Sequence, residues 1–196
     1  MMESEIRNQP EESIDDGLGI LVRYKKLYHG SATPGIKNLN SAEETTLGDG
    51  VYLIPQQSDA AGYATRRARD RKGKPVVYEV LVENLKLLDL RKNENVKRIM
   101  PGFTSILSTE LKKADLPWYK IKTLNQALES IQKGVDLNNI REIAFAHGEL
   151  FTNYLKGLGY EGLIGMEGGE GPEIGNHETY LIFDPEKAKV TGEHDL

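Results

Sequence analysis

The chain contains no cysteine among its 196 residues. Disulfide bonds, catalysis by a thiolate and zinc sites built on cysteine are therefore excluded. A chain without cysteine is compatible with a reducing compartment. We expect a cytoplasmic protein, or one delivered into a target cell by a route that the sequence does not show.

Long apolar runs are also missing. The longest span a handful of residues, far short of the roughly 20 that a membrane-spanning helix needs. The first residues, Met1–Glu5, are acidic and are not followed by an apolar segment of the kind found in secretory signals. We therefore expect no membrane partner.

Excess positive charge is the third missing feature. Lys and Arg number 25 against 30 Asp and Glu, which gives a net charge of −5. A broad nucleic-acid groove needs clustered positive charge, so a nucleic-acid partner is not favoured, although it is not excluded. The basic run Arg66–Lys74 is more typical of a solvated helix end than of a nucleic-acid patch.

The composition is that of an ordinary globular chain, with 38% hydrophobic and 28% charged residues. Residues 1–18 are polar and acidic and contain Pro10, so we expect a flexible N-terminal tail. Residues 19–196 suit a single domain.

Local patterns predict strands and helices in an α+β arrangement. A strand ends at His29, before the turn-forming Gly30-Ser31, and short strands are expected near residues 51–54, 76–82 and 178–183. Helix formers at residues 60–68 place Tyr63 on a helix. Further helical periodicity appears at residues 123–133 and 140–157, whereas Pro101-Gly102 and Pro117 are expected to interrupt helices.

Three fragments in this order carry the functional signal. They are Tyr28-His29-Gly30-Ser31, then Gly50-Val51-Tyr52 followed by Gly62-Tyr63, and finally Asn176-His177-Glu178-Thr179-Tyr180. Taken singly, each is more typical of a strand end, a core aromatic or a solvated strand residue. Together they resemble the His-Tyr-Glu signature of the ADP-ribosyltransferase superfamily, which includes diphtheria toxin and the poly(ADP-ribose) polymerases.

The resemblance implies a fold, a substrate and a reaction. The fold would be α+β, with a split, mainly antiparallel sheet around an NAD cleft and flanking helices. NAD would be the substrate, and ADP-ribose would pass to a protein acceptor by mono-ADP-ribosylation, in a toxin or effector. An NAD glycohydrolase on the same site and a binding module without turnover are the alternatives.

The resemblance also implies roles for individual residues. His29, Gly30 and Ser31 would bind NAD, with His29 on the adenine ribose and the Gly30 backbone on the carboxamide. Tyr52 and Tyr63 would pack around the nicotinamide end, and Glu178 would be the catalytic carboxylate. A carboxylate suits this reaction because breaking the nicotinamide–ribose bond leaves positive charge on the sugar.

Other features qualify the resemblance. Ala60 stands where the polymerase branch usually has Ser, and Asn176 stands where arginine-modifying relatives carry Glu, so arginine is not indicated as the acceptor. We expect no metal site, because strand alternation would send His177 and Glu178 to opposite faces. The glycine-rich segment 165–175 is either a plain flexible connection or an acceptor-recognition loop.

Overall fold

One mixed sheet forms the centre of the molecule. The computed structural model describes residues 12–13, 17–42, 46–135, 140–168 and 176–196. Its strands are β1 Glu12–Ser13, β2 Gly19–Ser31, β3 Val51–Leu53, β4 Val76–Asp89, β5 Gly162–Glu167, β6 His177–Ile182 and β7 Lys189–Asp195. Its α-helices are α1 Gln57–Arg71, α2 Asn93–Glu110, α3 Trp118–Lys133, α4 Ile140–Ala146 and α5 Gly148–Gly157.

The sheet is mainly antiparallel, as expected from the sequence. The strand order is β1-β2-β4-β5-β6-β3, with β7 also paired to β4. Only the β4–β5 pair is parallel among the named strand pairs of the described chain. β7 pairs with the first half of β4 and β5 with its last residues. The sheet therefore divides along β4, and an α+β class is confirmed.

The sheet closes on itself beside the candidate site. Tyr28 of β2 and Ile54, which directly follows β3, exchange two backbone hydrogen bonds of 2.8 and 2.9 Å. This bridge joins the two ends of the path β2-β4-β5-β6-β3. The enclosed apolar core holds side chains from all five strands, including Leu27, Leu53, Val80, Ile164 and Tyr180.

The four helices after β4 build a second core against the sheet. Its buried members include Phe103 of α2, Phe151 of α5 and Leu181 of β6. Two helix expectations need correction. Helix α2 runs through Pro101 instead of ending there, and the helix expected over residues 140–157 is divided at His147, whose φ of −138° is not helical.

The expected N-terminal tail is partly joined to the sheet. Glu12 and Ser13 pair with Leu21 and Ile20 on the outer edge of β2. An edge strand presents unpaired backbone groups, which explains why two polar residues add a short strand there. Residues 1–11 and 14–16 lie outside the described part of the chain.

No described helix is both long and apolar enough to cross a bilayer.

Candidate functional site

A cavity of about 270 Å³ lies where β2, β3, α1, α4, β5 and β6 meet. Four of the six residues singled out from the sequence line it, namely His29, Gly30, Tyr52 and Tyr63. The structure thus brings together two fragments that are more than twenty residues apart. Further lining residues are Thr46, Arg67, Arg141, Phe145, Glu167 and Thr179.

His29 is fixed by a backbone carbonyl. Its Nδ1 lies 2.9 Å from the carbonyl oxygen of Tyr52. Because a carbonyl can only accept, Nδ1 carries the proton, and in the neutral ring Nε2 is the nitrogen that can accept. Burial lowers the pKa of His29. The side chain is therefore a neutral imidazole at neutral pH, suited to accept a hydrogen bond from a hydroxyl.

Tyr52 connects the cavity wall by hydrogen bonds to Leu47 and Gly48, which precede β3. Its hydroxyl donates to the Gly48 carbonyl at 3.0 Å and accepts from the Leu47 amide at 2.8 Å. The carbonyl of Tyr52 holds His29 in addition. Tyr52 therefore positions two parts of the wall, one through its hydroxyl and the other through its backbone carbonyl.

Gly30 allows β2 and α1 to pack closely. A Cβ atom added at Gly30 would lie 2.0 Å from the carbonyl oxygen of Ala60 and 2.8 Å from the amide nitrogen of Ala64. No side chain fits there, because both obstacles are backbone atoms. The lack of a side chain at residue 30 thus brings α1, which carries Tyr63 and Arg67, against the end of β2.

Tyr63 contacts a buried histidine that the sequence had not assigned to the site. The Tyr63 and His177 rings meet edge to face, with centroids 5.4 Å apart. The Tyr63 hydroxyl lies 3.3 Å from Nε2 of His177. His177 is 4% exposed. It therefore supports Tyr63 from behind the cavity surface.

Glu178, which the resemblance would make the catalytic carboxylate, is not among the residues that line this cavity. Glu178 lies opposite Met166 in the β5–β6 pairing, on the other face of the sheet from His177 and Thr179. Its Oε2 binds Nη1 of Arg91 at 2.5 Å. The physical reason is the alternation of side chains along β6.

Ser31 also lies apart from the cavity lining. It is 7% exposed, and its hydroxyl accepts a hydrogen bond from the Thr33 amide at 3.1 Å. This is a local turn contact, which such hydroxyls commonly make. The expectation that Ser31 contacts NAD has no support from its position.

Glu167 supplies a carboxylate to the cavity. It is 8% exposed and lies at the end of β5. Its Oε2 accepts a hydrogen bond of 2.9 Å from the Thr179 hydroxyl, and Thr46 donates to Oε1. Nε2 of His177 lies 3.9 Å from Oε2. A buried carboxylate with two hydroxyl donors is held in one orientation at the cavity wall.

Sequence reasoning missed Glu167 because it lies in a glycine-rich segment that had the composition of a loop. In the structure, β5 extends to Glu167 and pairs with His177. The pairing register puts Glu167, His177 and Thr179 on the cavity face. The apolar pair Leu163-Ile164 is typical of a strand, and extending such a strand with the β-sheet period of two would place Gly165 and Glu167 on one face. Residues 169–175 of the glycine-rich segment, expected to be either a plain connection or an acceptor-recognition loop, lie outside the described residues.

Two guanidinium groups complete the lining. Arg67 comes from α1 and Arg141 from α4. Nη1 of Arg67 lies 3.5 Å from the Gly30 carbonyl oxygen. Burial, followed by the charge of Arg71, lowers the pKa of Arg67. A guanidinium stays charged at neutral pH even so, and two of them suit a phosphate-bearing ligand.

Comparison with known proteins shows the fold. No family model matches the chain, and no curated protein matches it. A chain of the crystal structure of the M. tuberculosis MbcT–MbcA toxin–antitoxin complex matches it with a TM-score of 0.50 and 12% sequence identity. The match covers 92% of this chain and 88% of that chain. At this identity the likeness shows a shared fold.

Proposed function

We propose that this protein is an enzyme that cleaves the nicotinamide–ribose bond of NAD and transfers ADP-ribose to a protein. The observation that carries the proposal is that His29, Tyr52 and Tyr63 line the same cavity as a buried carboxylate, Glu167. The resemblance to the His-Tyr-Glu class suggested three of these residues before their positions were known.

The lining matches the parts of NAD. The Arg67 and Arg141 guanidiniums suit the pyrophosphate, since planar donors bind phosphate oxygens in pairs. The accepting nitrogen of His29 suits a ribose hydroxyl. Tyr63 and the exposed ring of Phe145 offer aromatic surfaces for a flat base. The lining thus offers partners for the phosphates, for a ribose hydroxyl and for a flat base within one cavity.

Glu167 is the proposed catalytic carboxylate. The bond between the nicotinamide nitrogen and the ribose anomeric carbon breaks, and nicotinamide leaves with the electron pair. A nucleophile of the acceptor forms the new bond to the anomeric carbon and loses its proton to solvent. A carboxylate at the cavity wall stabilises the positive charge that develops on the sugar. Thr46 and Thr179 hold this carboxylate before the substrate binds.

Hydrolysis of NAD is the second candidate. The observation that favours it is the cavity volume of about 270 Å³, just below the ~300–1,000 Å³ usual for ligand sites. Water as the acceptor needs no room for a side chain beside the dinucleotide.

The shared fold with a chain of a toxin–antitoxin complex adds a cellular proposal. We expect expression of this protein to lower the NAD content of a bacterial host and to slow its growth. A Glu167→Gln variant should leave growth and NAD content near normal.

The deciding experiment incubates the protein with NAD labelled in its adenosine part and with a cell lysate. Release of nicotinamide together with labelled protein in mass spectrometry supports transfer. Nicotinamide release with free ADP-ribose only supports hydrolysis. Binding of NAD without nicotinamide release would leave a binding module and refute the proposed enzyme.

A further inference from the structure

The three exposed Trp, Tyr and Phe side chains among the described residues lie in one region. Trp118 is 75% exposed, Phe145 56% and Tyr119 53%, while the other Phe and Tyr side chains are buried or half-buried. The rings of Trp118 and Tyr119 meet edge to face at 6.4 Å. Exposed aromatics gathered in one place mark an interaction surface more often than scattered ones do.

This region forms a groove that adjoins the candidate site. We call it the aromatic groove, and define it by Asp49, Glu110, Tyr119, Lys120, Phe145 and Glu149. Phe145 lines both this groove and the cavity that contains Glu167. A molecule bound in the groove therefore reaches the cavity at Phe145.

The groove is acidic. The charged residues that line the groove are Asp49, Glu110, Glu149 and Lys120, which gives a net charge of −2. Glu110 also forms an ion pair of 2.6 Å with Lys113, which does not line the groove. Acidic side chains beside exposed aromatic faces attract Lys and Arg through both charge pairing and cation–π contacts. The same charges repel a phosphate backbone or an acidic peptide.

We propose that the aromatic groove binds the protein acceptor through a basic segment, and that Phe145 separates the acceptor from the bound NAD. This inference rests on the proposed transfer of ADP-ribose. It gives the acceptor a chemical class, a lysine- or arginine-bearing segment, and a position next to the cavity. The basic residue anchors the segment, and a neighbouring side chain supplies the nucleophile.

The test measures binding and catalysis separately. The probes are a short fluorescent peptide of alternating Lys and Ser, its Glu/Ser counterpart and a single-stranded oligonucleotide, followed by fluorescence anisotropy with the full chain. We expect the Lys/Ser peptide to bind best, and Tyr119→Ala and Phe145→Ala to weaken it about tenfold. Leu158→Ala, an exposed apolar residue at the end of α5, is the matched control and should not change binding.

Charge reversal provides an independent arm. Glu149→Lys should weaken binding of the Lys/Ser peptide and strengthen binding of the Glu/Ser peptide. Thermal melts check that each variant is folded. The proposal is overturned if the Glu/Ser peptide or the oligonucleotide binds as well as the Lys/Ser peptide, or if binding is insensitive to the groove variants.

Measuring nicotinamide release in water tests the proposed NAD-cleaving activity independently of the proposed docking groove. Trp118→Ala and Tyr119→Ala should release nicotinamide at the wild-type rate, because neither side chain lines the cavity. If the wild-type protein releases no nicotinamide, the proposed enzymatic activity is refuted. The peptide measurements still decide whether the groove binds a basic segment. If Trp118→Ala or Tyr119→Ala loses nicotinamide release together with peptide binding, its side chain belongs to the NAD site, and the separate docking role is overturned.

Discussion

The guanidinium of Arg91 joins Glu178 to Asp89. Its Nη1 lies 2.5 Å from Oε2 of Glu178, and its Nε lies 2.7 Å from Oδ1 of Asp89. The hydrogen bond to Asp89, followed by the one to Glu178, raises the pKa of Arg91. This ion-pair group connects the end of β4 to β6 on the sheet face opposite the Glu167 side chain. It gives the Glu178 carboxylate an ion-pair partner within the fold.

Replacing Glu167 or Glu178 by glutamine distinguishes the catalytic contributions of the two carboxylates. Glu167→Gln should lower the rate of nicotinamide release by about 10²–10³, the usual effect of removing one preorganised electrostatic group. Glu178→Gln should keep the rate within about threefold, since its side chain does not line the cavity. Steady-state assays of nicotinamide release with folded variants decide between them. The reverse order of effects would restore Glu178 as the catalytic carboxylate.

Removing Arg91 should destabilise the fold. Asp89 has a side chain only 4% exposed, and Arg91→Ala would leave this buried carboxylate without its guanidinium partner. We expect a loss of about 3 kcal/mol in the free energy of unfolding. The control is Lys189→Ala, which removes an exposed ion pair with Glu83 and should cost about 1 kcal/mol or less. Urea denaturation measures both, and equal losses would contradict the structural role of Arg91.

Gly30→Ala should lower both stability and NAD affinity. Its methyl group would meet the Ala60 carbonyl oxygen at 2.0 Å, so α1 must shift, at about 1–3 kcal/mol. Tyr63 and Arg67 would move with the helix. Gly157→Ala has open space around its new methyl group and serves as the control, with stability unchanged or slightly raised. Denaturation and NAD titration should show the contrast, and a Gly30→Ala protein with wild-type affinity would argue against the close-packing role.

Stability should fall in mildly acidic solution. Burial lowers the pKa of both His29 and His147 in the folded state. Both rings are neutral in both states well above the ordinary value of about 6.5. Below it the unfolded chain takes up protons first, so stability is lost as pH falls from about 6.5 through the lowered folded pKa values. Urea unfolding at several pH values should show a smaller loss for His147→Gln than for the wild type. Equal losses would show that His147 does not contribute.

The ring of Tyr63 should contribute more to NAD affinity than its hydroxyl does. Tyr63→Ala removes the aromatic surface in the cavity and the contact with His177, and we expect NAD affinity to fall about tenfold. Tyr63→Phe keeps the ring and removes the hydroxyl, which lies 3.3 Å from Nε2 of His177, and should change affinity by no more than about threefold. Calorimetric titration with NAD measures both. Equal losses for Phe and Ala would mean that the hydroxyl, which both variants lack, makes the important contact with the ligand.

Local patterns were enough to predict much of the β2–α1 side of the site. The Gly30-Ser31 turn correctly marks the end of β2 near His29, and the alanine-rich segment correctly places Tyr63 on a helix. The Glu167 side depended on strand pairing, which a single sequence does not show. Whether Glu178 or its neighbours faced the cavity is decided by the register of Met166 with Glu178.

Long-range contacts account for the other differences. The bridge between Tyr28 and Ile54 joins residues that no local pattern connects. Helix α2 continues through Pro101 because Met100 and Phe103 on either side of it are packed in the second core. Burial of these side chains outweighs the local helix-breaking effect of proline.

The missing side chain at residue 30 has a consequence for ligand size. The end of β2 and the face of α1 form two walls of the cavity. The close packing of Gly30 against Ala60 and Ala64 sets the distance between these walls. The spacing of these walls is thus encoded at one position that itself makes no specific side-chain interaction. Larger residues there, accompanied by smaller ones along α1, would give a series of proteins with graded cavity widths. Such a series would allow the site to be fitted to dinucleotides that carry bulky substituents.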